Sequence, residues 1–421
     1  MKKAFETVRK HLFLILFIYS FSLSWILALN NIPLYHYKHG FDGAGHIDYM
    51  TYIVENDRLP KASHGWETHQ SPLYYLVGSS LIEIFDTWKA AQYINIFILW
   101  ITIGIAMYGF RVIFPKNKDG MYAVGVALSA LPMLNIFQVM VTNELMNTMW
   151  SLAILVTLLK LLQSKMESEY FKLSALITAL FILGFYTKVS IIMIGPMIGL
   201  SYLYLYIKSS ATSRLRQIMT VLMMSIVVFT ACYPLYLRAS ESVGPSNLGM
   251  IASSPSAPHT LEFYTRLDWI PKVDMYNTQY YSMLGGAYNS FFNDGHNAVT
   301  PFVSFHKKAF VLWSMGFILL PLFLYGLYLI TKERKIPGIY LWGVLILMFG
   351  VYVFYNTKSG HYSAARLTYE TPIVLPYAYG LAIFATKKYL KYLLFGLLFV
   401  QMTILTSFYW IEPWWHVTKG F

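Results

Sequence analysis

The sequence predicts an all-helical protein that crosses a membrane many times, and three observations support this fold class. Of the 421 residues, 57% are hydrophobic and only 12% are charged, and the mean hydropathy is +0.49. Apolar runs near the length needed to cross about 30 Å of hydrocarbon recur from end to end. These runs do not alternate apolar with polar residues, as the strands of a membrane barrel do. Helices are therefore the predicted membrane elements.

The apolar runs predict eleven membrane spans. They cover residues of about 11–30, 92–114, 121–141, 145–162, 171–187, 190–207, 217–237, 309–330, 337–355, 371–386 and 390–410. The first run follows basic residues like a signal peptide but lacks a small-residue cleavage site, so we expect it to be retained. The apolar stretch 72–85 is only about fourteen residues long, and we expect it to lie as a helix in the outer interface.

Basic residues predict how the chain is oriented. With the amino terminus inside the cell, the short inner segments hold 19 of the 32 Lys and Arg residues, as the positive-inside rule requires. Residues 31–91 and 238–308 then form two long segments on the non-cytoplasmic side of a single membrane domain, 1–421. We expect both to pack over the bundle as a cap of short helices and loops. The formal charge of +12 does not indicate nucleic-acid binding, because the basic residues form no stripe.

Ionisable side chains concentrate in segment 31–91. Asp42 and His46 would lie on one face of a helix that begins after Asp42, at positions i and i+4. Asp42 also stands at the natural N-cap position of that helix, so capping and function are both compatible with the spacing. Further acidic and histidine residues follow at Asp48, Glu55, Asp57, Glu67 and His69. Ionisable residues at the edge of a membrane usually have a function.

Four motifs follow one another along the chain. They are Asp42 with His46, His69-Gln70-Ser71-Pro72-Leu73-Tyr74-Tyr75, Val141-Thr142-Asn143-Glu144, and Arg366-Leu367-Thr368-Tyr369-Glu370-Thr371-Pro372. In order and spacing they resemble the motifs of the GT-C superfamily of glycosyltransferases, in particular the bacterial relatives of protein mannosyltransferases and aminoarabinose transferases. Two positions depart from the family pattern: Gly43 replaces the second acidic residue of a pair, and Ser71 replaces the first of two prolines.

The resemblance implies transfer of a sugar from a polyprenyl-phosphate donor to a lipid, glycan or protein acceptor at the outer face of the membrane, with inversion. An acceptor hydroxyl must lose its proton as it attacks the anomeric carbon, and a positioned carboxylate can take that proton. Asp42 is therefore the predicted general base. The leaving phosphate gains charge and needs cations or hydrogen-bond donors. The predicted substrate-binding and phosphate-binding residues are His46, Glu67, His69, Asn143, Glu144, Lys188 and Arg366.

Several of these residues also have ordinary structural interpretations. Lys188 is compatible with a side chain that extends to the interface at the end of a span. Arg366 is equally compatible with an ion pair to Glu370 at i+4. Asn143 and Glu144 suit the N-terminus of the fourth span, where asparagine caps and an acid complements the helix dipole.

A divalent metal ion is the one candidate cofactor. Asp42, His46, Glu67 and His69 offer the oxygen and nitrogen donors that suit such an ion. Spacing alone does not specify their coordination sphere. Cys232 is the only cysteine, so the chain cannot build a cysteine-based zinc site or an intrachain disulfide.

Two other classes of membrane protein are alternatives to a glycosyltransferase. A lipid or solute transporter usually has two related halves and polar, ionisable or broken segments deep in its spans, whereas here Lys and acidic residues avoid the span centres and no repeat appears. A lipid-linked polysaccharide ligase or polymerase would depend on Arg366 and segment 238–308 and not on Asp42. Substitution of Asp42 distinguishes this last class from the predicted one.

Overall fold

A computed structural model describes residues 11–38, 40, 42–164, 167–243, 260–267, 282–293, 306–359, 371–387 and 389–411. Within these ranges the chain is helical and contains no β-strand. The helices are α1 (Leu12–Leu34), α2 (Gly43–Asn56), α3 (Leu73–Phe85), α4 (Ala90–Ile113), α5 (Lys118–Ser129), α6 (Pro132–Val139), α7 (Glu144–Gln163), α8 (Glu167–Thr187), α9 (Gly195–Lys208), α10 (Ala211–Val243), α11 (Leu261–Thr265), α12 (Met283–Phe292), α13 (His306–Glu333), α14 (Lys335–Ser359), α15 (Val374–Ala382) and α16 (Leu390–Tyr409). Short 3₁₀ segments precede α9 (Val189–Ile194) and flank α15 (Thr371–Ile373 and Ile383–Thr386).

Nine helices of the described chain are long and apolar enough to cross a membrane. They are α1, α4, α7, α8, α9 with its preceding 3₁₀ segment, α10, α13, α14 and α16. Each coincides with a predicted span, which confirms the all-helical, multi-pass membrane fold. The predicted number of about eleven is not confirmed, because two of the predicted spans have a different structure.

The predicted span 121–141 consists of two helices, α5 and α6, that meet at an angle of 58°. Pro132 stands in the first turn of α6, where its missing N–H does not matter, and the helix before it ends. Within the break, the amide of Asn135 donates hydrogen bonds to the carbonyl oxygens of Ser129 at 2.7 Å and Leu131 at 3.0 Å. A bent pair of this kind has the geometry of a broken span or of a re-entrant loop, and counting it as one span raises the total to ten in the described chain.

The predicted span 371–386 is a short apolar segment, made of α15 and its two 3₁₀ turns, that is too short to count as a span. Every residue of α15 is buried in the bundle. A Cβ atom built on Gly326 of α13 would lie 1.7 Å from the carbonyl oxygen of Gly380, so the two backbones are in direct contact. This segment is a core element surrounded by other helices.

Polar contacts show which helix ends lie together. Lys89, just before α4, donates to the carbonyl oxygen of Ile32 near the end of α1 at 2.7 Å. Gln92 donates to the carbonyl oxygen of Val139 at the end of α6, also at 2.7 Å. Elsewhere, Lys387 after α15 pairs with Glu333 at the end of α13 at 2.6 Å. This grouping of ends agrees with the predicted topology; which side faces the cytoplasm remains a prediction.

The two long connecting segments contain short helices. Segment 31–91 holds α2 and α3, which pack against each other, and α3 leads into α4. Within 238–308 the structure describes the end of α10, α11, α12 and the start of α13. Helix α12 is almost wholly buried, and its Phe291 ring lies 4.9 Å from the Tyr377 ring of α15. Part of the predicted cap is therefore packed into the bundle.

Candidate functional site

Asp42 stands immediately before α2, in the left-handed backbone conformation with φ of 56°. Aspartate and asparagine tolerate this conformation better than most other residues. Asp42 occupies the N-cap position, but its side chain makes no capping hydrogen bond, and the residue is exposed. The capping interpretation of Asp42 is therefore wrong, and the helix does not use its carboxylate.

Two glycines at the start of α2 make room for neighbouring groups. A Cβ atom on Gly43 would lie 3.0 Å from the carbonyl oxygen of Lys38. A Cβ atom on Gly45 would lie 2.6 Å from Cγ of Glu67, so the Glu67 side chain fills the space that Gly45 leaves.

Glu67 is a buried carboxyl group with an altered pKa. Its residue is only 4% exposed, and Nε2 of Gln70 donates a short hydrogen bond to its Oε2. Burial, assisted by the negative charge of Asp42, raises the pKa of Glu67 to about 7. Oε1 of Gln70 in turn accepts a hydrogen bond from Nδ2 of Asn143 at 2.7 Å. Asn143 makes no side-chain cap for α7, so its capping interpretation is wrong as well.

The raised pKa of Glu67 predicts how pH affects stability. The pKa of Glu67 is about 7 in the folded chain, against 4.5 for an ordinary glutamate. Binding of a proton at Glu67 stabilises the folded chain, and the stabilisation is fully present below pH 4.5 and is lost as the pH rises through 7. Glu67→Gln copies the protonated form, so we expect it to raise the thermal unfolding midpoint at pH 8, by the equivalent of roughly 3 kcal/mol.

The same comparison at pH 4.5 should show little difference between the native chain and Glu67→Gln. Glu83→Gln is the control, because Glu83 is an exposed carboxylate on the nearby helix α3. It should leave the midpoint almost unchanged at both pH values. A lower midpoint for Glu67→Gln at pH 8 would contradict the prediction. Both variants are measured in detergent by heating at each pH.

His46 and His69 are held as neutral side chains. Nδ1 of His46 lies 2.8 Å from the hydroxyl of Tyr75, and burial lowers the pKa of His46 to about 3 although Asp42 acts in the opposite direction. Nδ1 of His69 donates to the carbonyl oxygen of Trp66 at 3.0 Å, and burial lowers the pKa of His69 too. At neutral pH these residues therefore serve as hydrogen-bonding groups and not as cations.

Lys188 and Glu144 form a buried ion pair. Nζ of Lys188 lies 2.5 Å from Oε1 of Glu144, and the two side chains are 13% and 8% exposed. The interpretation of Lys188 as a side chain that extends to the interface is therefore wrong. The charges of Lys188 and Asp42 both act on His46, Glu67 and His69. We call the set Asp42, His46, Glu67, His69, Glu144 and Lys188 the acid–base cluster.

Arg238 connects α10 to the loop between α2 and α3, and sequence reasoning missed it. Its guanidinium donates to the hydroxyl of Tyr49 and the carbonyl oxygens of Pro60, Thr68 and Gln70 at distances of 2.6 to 3.1 Å. It also lies 5.6 Å from the centre of the Tyr49 ring. One feature of the sequence could have identified Arg238: it lies at the predicted outer end of a span, where the positive-inside rule makes an arginine unusual.

The possible metal site is not formed by its four predicted residues. In the described part of the chain, no three His, Cys, Asp or Glu side chains are grouped in a way that could hold a metal ion. Nδ1 of His46 is engaged with Tyr75 and the Glu67 carboxylate with Gln70. Arg366 and Glu370 lie outside the described residues, so the phosphate role and the ion pair considered for Arg366 both remain predictions.

Solved structures with a similar fold are membrane glycosyltransferases. ArnT from Cupriavidus metallidurans bound to undecaprenyl phosphate matches with a TM-score of 0.60 and 13% identity, over 97% of this chain and 78% of that chain. The Archaeoglobus fulgidus oligosaccharyltransferase tethered with an acceptor peptide matches with a TM-score of 0.55 and 12% identity, over 97% of this chain and 57% of that chain. No protein-family model and no curated protein sequence matches this chain. The chain thus shares its fold with these two membrane proteins.

Proposed function

We propose that this chain is a glycosyltransferase that moves a sugar from a polyprenyl-phosphate donor to an acceptor at the non-cytoplasmic face of the membrane. One observation carries the proposal: an exposed carboxylate, Asp42, lies beside a buried group of acids and a lysine at one end of a bundle with the GT-C fold. When the polyprenyl chain of a donor is in the bilayer, its phosphate and sugar lie at the membrane surface, level with an end of the helix bundle.

Asp42 is the proposed general base. The oxygen of the acceptor hydroxyl forms a bond to the anomeric carbon, and the proton of that hydroxyl passes to the Asp42 carboxylate. At the same time the bond between the anomeric carbon and the phosphate oxygen breaks. The bonding electrons leave with the phosphate, which stays on the polyprenyl chain. A single direct displacement of this kind inverts the anomeric carbon. The exposure of Asp42 at the start of α2 supports this role.

The other members of the cluster are proposed to position the donor. Lys188 and the hydrogen-bonding groups of His46 and His69 lie near Asp42 and would stabilise the charge that develops on the phosphate. Glu67, Asn143 and Glu144 would help to orient the sugar of the donor. Arg366 keeps its proposed phosphate role from the sequence motif. The undecaprenyl phosphate bound to ArnT and the acceptor peptide tethered to the oligosaccharyltransferase support a lipid-linked donor and a lipid or peptide acceptor here.

The purified chain tests this proposal directly. We would supply radiolabelled undecaprenyl-phosphate hexoses with a membrane extract as the source of acceptors, and measure label transfer and the release of undecaprenyl phosphate. The proposal expects transfer from the lipid donor and none from the corresponding nucleotide sugars. Transfer from nucleotide sugars alone, or consumption of neither donor, would overturn it.

A further inference from the structure

Three buried oxygen atoms beside the Glu144–Lys188 pair have no hydrogen-bond donor. They are Oδ1 of Asn143, Oε2 of Glu144 and Oδ1 of Asn147, on residues that are 1%, 6% and 3% exposed. Leaving a buried acceptor unpaired costs about 1–3 kcal/mol, and proteins pair almost all such groups. Three such acceptors grouped beside the acid–base cluster are suited to donors that a bound molecule brings.

The three residues lie in the first turns of α7 and share one side of it. Asn143 and Asn147 are four residues apart, and Glu144 precedes Asn147 by three. This side is turned toward the segment that follows α8. Lys188 of that segment holds Oε1 of Glu144, and Oγ of Ser190 accepts a hydrogen bond from Nδ2 of Asn147 at 3.2 Å. We call Asn143, Glu144 and Asn147 the α7 acceptor strip.

The strip belongs to the same site as the acid–base cluster. Nδ2 of Asn143 donates to Gln70, which also holds Glu67. The charge of Glu144 acts on Glu67, as does the charge of Asp42. A ligand that reaches the strip would therefore also lie close to the proposed general base.

We infer that the α7 acceptor strip binds the hydroxyl groups of the transferred sugar, an inference that rests on the proposed function. Each sugar hydroxyl carries an O–H donor that one of these oxygens can accept. The strip thus suits a sugar recognised through its hydroxyl donors, and the phosphate is bound by other residues.

Binding of lipids with and without a sugar tests the inference. The probes are undecaprenyl phosphate and its mannosyl, glucosyl and galactosyl derivatives, titrated separately into the native chain and into Asn147→Ala. We expect the native chain to bind at least one hexolipid more tightly than the sugar-free lipid. Asn147→Ala should weaken that hexolipid about fivefold to tenfold, the value of one neutral hydrogen bond. Its affinity for undecaprenyl phosphate should not change, which also shows that the variant is folded.

Gln217→Ala is the matched control. In α10, Nε2 of Gln217 donates to Oγ of Ser209 at 2.6 Å, and its Oε1 is likewise buried without a donor. Gln217 lies near the start of α10, whereas Arg238 near its end contacts the loop beside the site. This control should bind all four lipids as the native chain does.

The other outcomes separate this inference from the proposed function. Equal weakening of sugar-bearing and sugar-free lipids by Asn147→Ala would overturn the inference, as would native affinities that ignore the sugar. In both cases the lipid-phosphate donor would still be supported. Failure of the native chain to bind any of the four lipids would overturn the proposed function together with the inference.

Discussion

Asp42→Asn should reduce sugar transfer by about a hundredfold to ten-thousandfold, the usual contribution of a general base. Asparagine has almost the same shape and accepts the left-handed conformation that position 42 requires, with φ of 56°. The helix loses no cap, because the Asp42 side chain provides none. The variant should therefore fold and bind the donor lipid as the native chain does. Initial rates of label transfer and the thermal unfolding midpoint measure the two effects.

Asp57→Asn is the matched control for this substitution. Asp57 stands at the other end of α2, also in the left-handed conformation, with φ of 50°, and it is exposed. The chemical change is identical, but Asp57 lies outside the acid–base cluster. Native turnover in both variants would refute the assignment of Asp42 as the base. Equal loss in both would point to an effect on α2 as a whole.

Lys188→Met should give the largest loss of stability among the substitutions considered. It leaves the carboxylate of Glu144 buried without its cation, and breaking a buried pair in this way costs about 3 to 5 kcal/mol. Both side chains are less than one sixth exposed, so solvent cannot replace the lost partner. We expect the unfolding midpoint in detergent to fall by many degrees. Lys387→Met serves as the control, because its pair with Glu333 is 36% and 40% exposed and such pairs contribute about 0 to 1 kcal/mol.

The double variant Glu144→Gln/Lys188→Met distinguishes a structural lysine from one that binds phosphate. Removing both charges leaves no unpaired ion, so most of the lost stability should return. If Lys188 also binds the phosphate, this stable protein should bind sugar-free undecaprenyl phosphate more weakly than the native chain does. A double variant as unstable as Lys188→Met would show that the unpaired carboxylate is not the cause.

Hydropathy identified the long helices because a membrane span must satisfy its own backbone and present apolar side chains. It does not reveal the bend in span 121–141 or the burial of segment 371–386, because both depend on tertiary contacts. The carbonyl oxygens at the end of α6 are satisfied by buried amides from another part of the sequence, those of Gln92 and Asn95. Segment 371–386 is apolar because other helices surround it, and a buried helix and a lipid-facing helix have similar composition.

The sequence motifs predict several residues of the candidate site. Glu144 and Lys188 are each predicted to bind substrate or phosphate, but only the folded chain shows that they form an ion pair. The sequence does not predict roles for Asn147, Gln70 and Arg238, because their hydrogen-bond partners are far away in sequence. A single sequence contains no record of such pairings. The two capping interpretations were wrong because a residue type suited to a helix end does not determine which atom it contacts.

The broken pair α5–α6 also constrains the order in which the chain is assembled. Gln92 and Asn95 of α4 satisfy the carbonyl oxygens of Val139 and Met140, at 2.7 Å and 2.6 Å, where α6 ends. Exposed to lipid, each of these backbone groups would cost several kcal/mol. Helix α4 leaves the ribosome before α6, so its amides are already present when the end of α6 enters the bilayer. We therefore expect sequential insertion of this region, in which an earlier hydrophobic helix supplies the hydrogen-bond donors for a later, irregular one.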